Sequence, residues 1–384
     1  MKIVKDNIYN VGADNEVLDL FESQYVVKNG MAYNSYLVMD EKVALFETID
    51  EALTDVWLKN IDEVLKGRKI DYLIISHMEP DHSANIMKIV ERYKDVVIVG
   101  NNKTFQFMSQ FFNRNFDKNI LMVKEGDVLD LGQHKLQFIG APMCHWPEVM
   151  MTYDQTSKIL FTADAFGKFG ASDAKDNWDD EARRYYFNIV GKYGVQVQSL
   201  LKKVGGLDIQ TICPLHGVVI SDNLSHYIGL YDTWSKYEAE SDEVFIAYTS
   251  VYGNTKKAVE TLAEILKKNG VKVQTADLGR TDMSENMSQA FKCSKIVLAT
   301  TTYNAGIFPP MEDFLHHLKA KNFQNKTVGL VENGTWVPLA AKGMTEILNT
   351  MKNINIVEPV VSIKSALNAE TVLQIEKLAE VLSK

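Results

Sequence analysis

The chain has 384 residues, which is enough for two or three domains, and its 46% hydrophobic and 24% charged content is typical of a globular protein. The formal net charge of -9 argues against nucleic acid as a partner. Because no apolar stretch approaches membrane-spanning length and the N-terminal residues lack a signal-peptide core, we expect a cytoplasmic protein with no membrane partner.

The three cysteines, Cys144, Cys213 and Cys293, are far apart in the chain and form no Cys-x-x-Cys pair. This spacing predicts neither a disulfide framework nor an iron site made of thiolates. Cys144 and Cys213 lie near polar residues that matter below. We nevertheless expect both to be small buried hydrophobic residues.

The first part of the chain, residues 1–240, alternates short strands with turns and helices. Apolar runs bounded by turn residues predict strands at 33–39, 43–47, 71–76, 96–100, 135–140, 150–153 and 159–163. Apolar residues at a spacing of 3.6 predict helices near 51–66, 83–93, 179–203 and 223–238. This order indicates two sheets flanked by helices.

A polar cluster directly follows the strand predicted at 71–76. It reads Ser76-His77-Met78-Glu79-Pro80-Asp81-His82, so two imidazoles and two carboxylates share one tight loop. Burying so many polar groups without partners is costly, and a metal ion would offset that cost. His145, Asp164 and His216 also lie at apparent strand-to-loop junctions. Together these residues predict a two-metal site.

The type of ligand indicates which metals fit. Four histidines and three carboxylates without a thiolate favour iron, manganese or zinc. Glu79 adds a hard oxygen ligand, which favours iron or manganese over zinc. Asp164 can offer one oxygen to each of two cations about 3.5–4 Å apart. The alternative is that each histidine is an ordinary core or loop residue, but four of the chain's eight would then lie beside acids by chance.

The second part of the chain, residues 243–384, follows a polar stretch at 235–243 and has a different pattern. Strands are predicted at 244–248, 271–275, 295–300, 326–331 and 354–362. Helices are predicted at 254–269, 309–320, 338–351 and 368–382. This alternation predicts a doubly wound parallel sheet whose ligand binds beyond the carboxyl ends of the strands.

A phosphate loop is predicted between the strand at 244–248 and the next helix. Ser250 and Thr255 supply hydroxyls, Gly253 allows a tight turn, and the helix start supplies free N–H groups. The loop has no lysine, so it is not a nucleoside triphosphate loop, and it is too short for a dinucleotide. We therefore expect a single phosphomonoester, and flavin mononucleotide (FMN) fits best.

Two later loops, at 301–306 and 332–336, would meet the flavin ring. Tyr303 and Trp336 could pack along that ring, although each could equally be an ordinary surface aromatic. The predicted FMN contacts are Ser250, Val251, Tyr252, Gly253, Asn254, Thr255, Thr301, Thr302, Tyr303, Asn304, Gly306, Asn333, Gly334, Thr335 and Trp336.

These motifs closely resemble those of the flavodiiron proteins over essentially the whole chain. The spacing His-x-Glu-x-Asp-His at 77–82 distinguishes that family from its hydrolytic zinc relatives. The resemblance implies a metallo-β-lactamase-like αββα sandwich at 1–240 with a non-haem di-iron site, and a flavodoxin-like FMN domain at 243–384. The Asn333-Gly334-Thr335 segment departs from the family's usual serine- and glycine-rich loop.

The resemblance also implies a ligand set. One iron would be bound by His77, Glu79 and His145, the other by Asp81, His82 and His216, with Asp164 bridging them. His216 lies in Pro214-Leu215-His216-Gly217, which matches the family's last ligand, whereas we expect His226 on a helix surface. Tyr193 matches a position that the family places near the irons, and Trp146 would pack beside them.

The implied activity is reduction of O2 to water, reduction of NO to N2O, or both. The first needs four electrons, which two irons and a reduced FMN can supply, and the second needs two. The family suggests a head-to-tail homodimer or a dimer of dimers, and rubredoxin or a similar small electron carrier as donor. The alternatives are a zinc hydrolase with an appended flavin domain, and a flavin electron carrier with a structural metal site.

Overall fold

The structure is a computed structural model that describes residues 2–384, and it divides into two compact units. The first unit comprises the chain up to Tyr186 together with Tyr193–Asp232. The second comprises Phe187–Lys192 and Thr233–Lys384. Within these described residues, no helix combines the length and the apolar character that a membrane crossing needs.

Short strands make up most of the regular structure in the first unit. They are β1 Lys2–Lys5, β2 Ile8–Asn10, β3 Ala13–Asn15, β4 Leu20–Phe21, β5 Tyr25–Val26, β6 Met31–Tyr33, β7 Tyr36–Met39, β8 Val43–Phe46, β9 Tyr72–Ile74, β10 Val97–Gly100, β11 Ile120–Met122, β12 Val128–Asp130, β13 Lys135–Gly140, β14 Met150–Asp154, β15 Ile159–Phe161 and β16 Thr211–Cys213. The helices before residue 240 are α1 Thr54–Leu65, α2 Pro80–Ser83, α3 Ile86–Arg92, α4 Asn102–Phe111, α5 Trp178–Ile189, α6 Gly194–Val204 and α7 Leu224–Ser235, with 3-10 turns at Glu51–Leu53 and Gly191–Tyr193. The ends of α5 and α7 and most of the second turn belong to the second unit.

Two sheets form the layers of the first unit. One has the order β1-β2-β7-β8-β9-β10-β11, and the other has the order β12-β13-β14-β15-β16. Their inner faces share one buried apolar cluster, in which the rings of Phe46 and Phe161 stack with centroids 4.1 Å apart. Full burial of one such ring contributes about 1.5–3 kcal/mol. The predicted αββα sandwich is confirmed.

The second unit is built on one parallel sheet. Its strands are β17 Ser241–Tyr248, β18 Val273–Asp277, β19 Cys293–Tyr303, β20 Gly306–Ile307, β21 Lys326–Asn333, β22 Ile354–Ile356 and β23 Val361–Ile363. Its helices are α8 Asn254–Lys268, α9 Met283–Lys292, α10 Pro309–Ala320, α11 Ala340–Leu348 and α12 Ala369–Leu382. The order β18-β17-β19-β21-β22 is that of a flavodoxin-like doubly wound sheet. This prediction is also confirmed.

Several predicted elements are interrupted in the structure. The strand at 33–39 breaks at Asn34 and Ser35, whose side chains bond to the main chain of neighbouring segments. The helix at 179–203 breaks at the turn Gly191–Tyr193. The strand at 354–362 divides into β22 and β23 around Pro359, which has no N–H to donate to a neighbouring strand.

Apart from the single turn α2, two helices were not predicted, and each begins at a capping side chain. Asn101 accepts hydrogen bonds from the main chain of Lys103 and Thr104 at the start of α4. Asp282 accepts from the N–H groups of Ser284 and Glu285 at the start of α9. A side-chain oxygen at this position satisfies N–H groups that the first helical turn leaves unpaired. Helix α9 completes the strand–helix alternation between β18 and β19.

Candidate metal centre and phosphate cleft

The loop after β9 carries the first four candidate ligands into the interior of the first unit. Parallel strand β9 ends at Ile74, and Glu47, at the end of neighbouring β8, accepts a hydrogen bond from the N–H of Ser76. Pro80 occupies the first turn of α2, a position that needs no N–H donor. The His82 carbonyl then accepts hydrogen bonds from Thr48. These hydrogen bonds hold the loop between β9 and α2 in place at both ends.

The first cluster contains His77, Glu79, His145 and Asp164, with one ligand atom of each within 4.8 Å of the others. Glu79 Oε2 lies 3.1 Å from the Nε2 atoms of both His77 and His145. Asp164 Oδ2 lies 3.1 Å from His145 Nε2 and 3.4 Å from His77 Nε2. Two nitrogens and two oxygens thus surround one point, as in a metal site.

The second cluster contains Asp81, His82 and His216. The Nε2 atoms of the two histidines are 3.1 Å apart, and Asp81 Oδ2 lies 3.4 Å and 3.3 Å from them. The other oxygen of Asp164, Oδ1, lies 3.1 Å from His82 Nε2 and 3.8 Å from His216 Nε2. The carboxylate of Asp164 therefore presents one oxygen to each cluster.

The donor set fits two cations. Both carboxylate oxygens of Asp81 and Oδ1 of Asp164 are buried and have no hydrogen-bond partner in the described part of the chain. An unpaired buried charge of this kind is strongly destabilising. Cations between these oxygens and the facing imidazole nitrogens would remove that cost. Histidines and carboxylates without a thiolate suit iron, manganese or zinc.

The charges in the site are also consistent with metal ligands. Burial raises the pKa of Glu79, but hydrogen bonds to His145 and His77 outweigh burial and lower that pKa to about 2. Burial lowers the pKa of His145, but hydrogen bonds to Asp164 and Glu79 raise it to about 9. Glu79 therefore stays ionised, and a bound metal would replace the proton on His145.

Aromatic rings surround the clusters. The rings of Phe21, Tyr33 and Tyr185 contact the ring of His216, with centroids 5.2, 5.4 and 5.6 Å away. Trp146 contacts His77 at 5.2 Å, as expected from the sequence. This lining reduces the access of bulk water to the site.

The two candidate tyrosines of the site, Tyr185 and Tyr193, differ in their surroundings. The buried Tyr185 hydroxyl has no hydrogen-bond partner among residues 2–384, and its ring contacts a cluster histidine. Sequence reasoning named Tyr193 instead, which is half-buried at the end of a 3-10 turn. These contacts favour Tyr185 as the tyrosine that donates a hydrogen bond in the site, and a role for Tyr193 stays a prediction. His226 lies on the surface of α7, where its Nε2 is 2.8 Å from Asp179, as expected.

The segment around His216 depends on a glycine. Gly217 has a φ of +81°, and an added Cβ would lie 2.6 Å from the Lys168 side chain. His216 Nδ1 lies 2.8 Å from the carbonyl oxygen of Ala32, so it donates a hydrogen bond to that oxygen. Nε2 is then free to face Asp81 and a metal.

A cleft of about 250 Å³ lies at the carboxyl ends of the strands of the second unit. The loop between β17 and α8 forms one wall, where Ser250 Oγ accepts hydrogen bonds from the N–H groups of Gly253 and Lys256. Thr255 Oγ1 lies 3.1 Å from Thr301 Oγ1. Hydroxyls and N–H groups at a helix start are suited to a phosphate.

The structure brings twelve of the predicted FMN contacts to this cleft. Its lining is Ser250, Val251, Tyr252, Asn254, Thr255, Thr301, Thr302, Tyr303, Asn333, Gly334, Thr335 and Trp336, together with Val337 and Ser365. Gly253 forms the adjacent turn with a φ of +89°, while Asn304 and Gly306 belong to the β19–β20 hairpin and do not line the cleft.

Sequence reasoning missed Val337 and Ser365. Ser365 follows β23, and it exchanges two hydrogen bonds with the Asn333 side chain, of 3.0 Å and 3.1 Å. The sequence gives little indication of this contact, because the single strand predicted at 354–362 does not separate β23 from β22. Tyr252 and Trp336 at the rim are 93% and 85% exposed.

Both units are similar to known protein families. A family model described as ODP family beta lactamase matches residues 31–217, and one described as Flavodoxin domain matches residues 245–361. An uncharacterised protein of Methanocaldococcus jannaschii is 30% identical over 91% of this chain and 89% of its own length. The anaerobic nitric oxide reductase flavorubredoxin of Salmonella paratyphi B is 28% identical over 87% of this chain and 72% of its own length.

Among solved structures, the rubredoxin oxygen:oxidoreductase of Desulfovibrio gigas superimposes with a TM-score of 0.92. The two are 27% identical, and the match covers 99% of this chain and 97% of that one. The chain spans about half the length of some curated relatives, for example 55% of the diflavin flavoprotein A 2 of Synechocystis.

A comparison of His216, a candidate ligand, with His226, which lies outside both clusters, tests the metal centre. For His216→Ala we expect bound iron to fall from about two ions to about one per chain, because the second cluster loses a nitrogen ligand. His226→Ala is the matched control and should keep the full iron content. Iron is measured by mass spectrometry in protein purified from iron-replete cells. Full iron in His216→Ala, or equal loss in both variants, would contradict the assignment.

Proposed function

Because this chain belongs to the flavodiiron family, we propose that it passes electrons from FMN to a non-haem di-iron site and there reduces O2 to water, NO to N2O, or both. Members of this family are oxidoreductases. The single observation that supports the proposal best is the buried Asp164, with one oxygen facing each of two histidine–carboxylate clusters. One bridging carboxylate between two such clusters suits a pair of metal ions.

In this proposal the two parts of the chain have separate tasks. Residues 1–240 form the di-iron domain and residues 243–384 form the FMN domain. His77, Glu79 and His145 bind one iron, Asp81, His82 and His216 bind the other, and Asp164 bridges them. The inward orientation of His82, 3.1 Å from Asp164 Oδ1, supports its inclusion as a ligand.

FMN would bind in the cleft of the second unit. Ser250, Thr255 and the first N–H groups of α8 bind the phosphate. Tyr303 and Trp336 contact the flavin ring, and Asn333, positioned by Ser365, supplies polar groups near it.

The bound cofactors supply electrons and open metal positions for the gas, while the protein sets their surroundings. Phe21, Tyr33 and Trp146 keep bulk water from the clusters. Burial raises the pKa of Tyr185, and the nearby charge of Asp164 raises it further, so this hydroxyl keeps its proton. It can therefore donate a hydrogen bond to a polar ligand between the clusters.

The chain also needs partners in this proposal. The exposed Tyr252 and Trp336 at the rim of the cleft form an aromatic surface that a second copy can cover, which supports a head-to-tail homodimer or a dimer of dimers. The similarity to the rubredoxin oxygen:oxidoreductase of Desulfovibrio gigas supports rubredoxin, or a similar small carrier, as electron donor. A cytoplasmic location stays a prediction from the sequence.

Gas consumption tests the reaction. Protein loaded with iron and FMN and reduced by rubredoxin should consume O2, NO or both, measured separately with gas electrodes under matched conditions. A strong preference for one gas would define the substrate. Turnover should be lost in His216→Ala and kept in His226→Ala. If no gas is consumed although both cofactors are present, the reductase proposal is wrong and a zinc hydrolase becomes the leading alternative.

A pair of threonines on α8 tests the FMN cleft. Thr255→Val removes a hydroxyl that we assign to the phosphate, so the Kd for FMN should rise about 10-fold to 100-fold, as expected for loss of a hydrogen bond to a charged group. Thr261→Val removes an exposed hydroxyl from the same helix, one that donates only to the Lys257 carbonyl. Its Kd should not change. Flavin fluorescence titration measures both, and equal Kd values in the two variants would contradict the phosphate assignment.

A further inference from the structure

A buried carboxylate lies behind His77, on the side away from the metal centre. The Glu148 side chain is 0% exposed, and its Oε1 lies 2.8 Å from His77 Nδ1. The same oxygen accepts a hydrogen bond of 2.9 Å from the N–H of Met78. The second oxygen, Oε2, is buried without a hydrogen-bond partner in the part of the chain that the structure describes. No step of the proposed reaction uses this residue.

The position of Glu148 is fixed by its main chain. Asn101, the capping residue of α4, donates a hydrogen bond from its side chain to the Glu148 carbonyl. Two residues later β14 begins, and the N–H of Met150 donates to the carbonyl of Ser76, next to His77. The carboxylate therefore has little freedom to move away from the imidazole.

The hydrogen bond determines which nitrogen of His77 carries its proton. A carboxylate accepts hydrogen bonds, so Nδ1 must be the protonated atom. Nε2, which faces Glu79 and Asp164, is then free to bind a metal. A carboxylate behind a histidine ligand also makes the imidazole a stronger donor to the metal.

The other cluster has no equivalent carboxylate. His216 Nδ1 donates to the neutral carbonyl of Ala32, and His82 Nδ1 is buried without a hydrogen-bond partner within residues 2–384. The inner ligands of the two clusters are otherwise closely matched, since each offers two imidazoles, one carboxylate and one oxygen of Asp164. Glu148 is thus the charged group that distinguishes them.

We propose that Glu148 is a positioning residue that orients His77 and adds negative charge behind one metal position only, so that this position binds divalent metal more tightly than the other. The inference rests on the proposed two-metal function. Glu148 would make the two metal positions differ in affinity, which their matched ligands alone would not do.

The test is a Co²⁺ titration of the metal-free full-length protein, followed by the visible absorption of the bound ion. The wild-type chain should bind two ions in two steps of different affinity. Glu148→Gln keeps an acceptor oxygen but loses the charge, and Glu148→Ala loses both. We expect the tighter step to weaken by on the order of 10-fold in the first variant and 100-fold in the second, with the weaker step unchanged.

Asp154→Asn is the matched control. The Asp154 side chain is also fully buried, and its Oδ2 lies 2.7 Å from Nδ1 of His134, a histidine that belongs to neither cluster. This variant removes the same kind of charge behind an imidazole outside the metal centre, so it should leave both steps unchanged. Far-UV circular dichroism reports whether each variant folds. If Glu148→Gln does not fold, Glu148→Asp, which keeps the charge but is one methylene shorter, should weaken the tighter step alone.

The inference is overturned if both steps are unchanged in the Glu148 variants, if both weaken equally, or if Asp154→Asn weakens them as much. A wild-type chain that binds fewer than two ions would instead overturn the proposed function, and the basis of this inference with it. The two failures are therefore distinguishable.

Discussion

The buried carboxylate of Asp164 is the constraint on which the rest of the site depends. Its pKa is held well below the usual range, because the charges of His77 and His82 and hydrogen bonds to His145 and His77 outweigh the effect of burial. An ionised group at this depth is stable only with positive charge on both sides. The six other candidate ligands meet around it, and aromatic rings pack against the histidines among them.

Strand ends bring these ligands together. The loop after β9 supplies four of them within six residues, Asp164 follows β15, and His216 follows β16. Strands β15 and β16 are parallel neighbours in one sheet, so Asp164 and His216 leave the same edge of that sheet. Strand β9 belongs to the other sheet of the first unit, and its loop brings four more ligands to that edge. The second unit uses the same principle for a different ligand, because its phosphate loop and both ring-facing loops follow the parallel strands β17, β19 and β21.

The sequence allowed prediction of those parts of the site that combine unusual residues with a clear strand signal. Histidines and acids directly after an apolar strand are rare, so a ligand set and a phosphate loop could be proposed from the sequence. Tyr185 and Glu148 could not, because a tyrosine in a helix and one acid among 50 look ordinary until their burial and contacts are known. Helix α9 was missed because its start depends on the Asp282 cap. Strands β22 and β23 could not be separated from the sequence, because apolar residues continue on both sides of Pro359.

The most direct test of the central claim is X-ray diffraction at the iron absorption edge from crystals of the iron-loaded protein. We predict two anomalous peaks about 3.5–4 Å apart, one on each side of the Asp164 carboxylate. One peak should lie among His77, Glu79 and His145, and the other among Asp81, His82 and His216. A single peak, or iron located away from Asp164, would contradict a di-iron centre bridged by this residue.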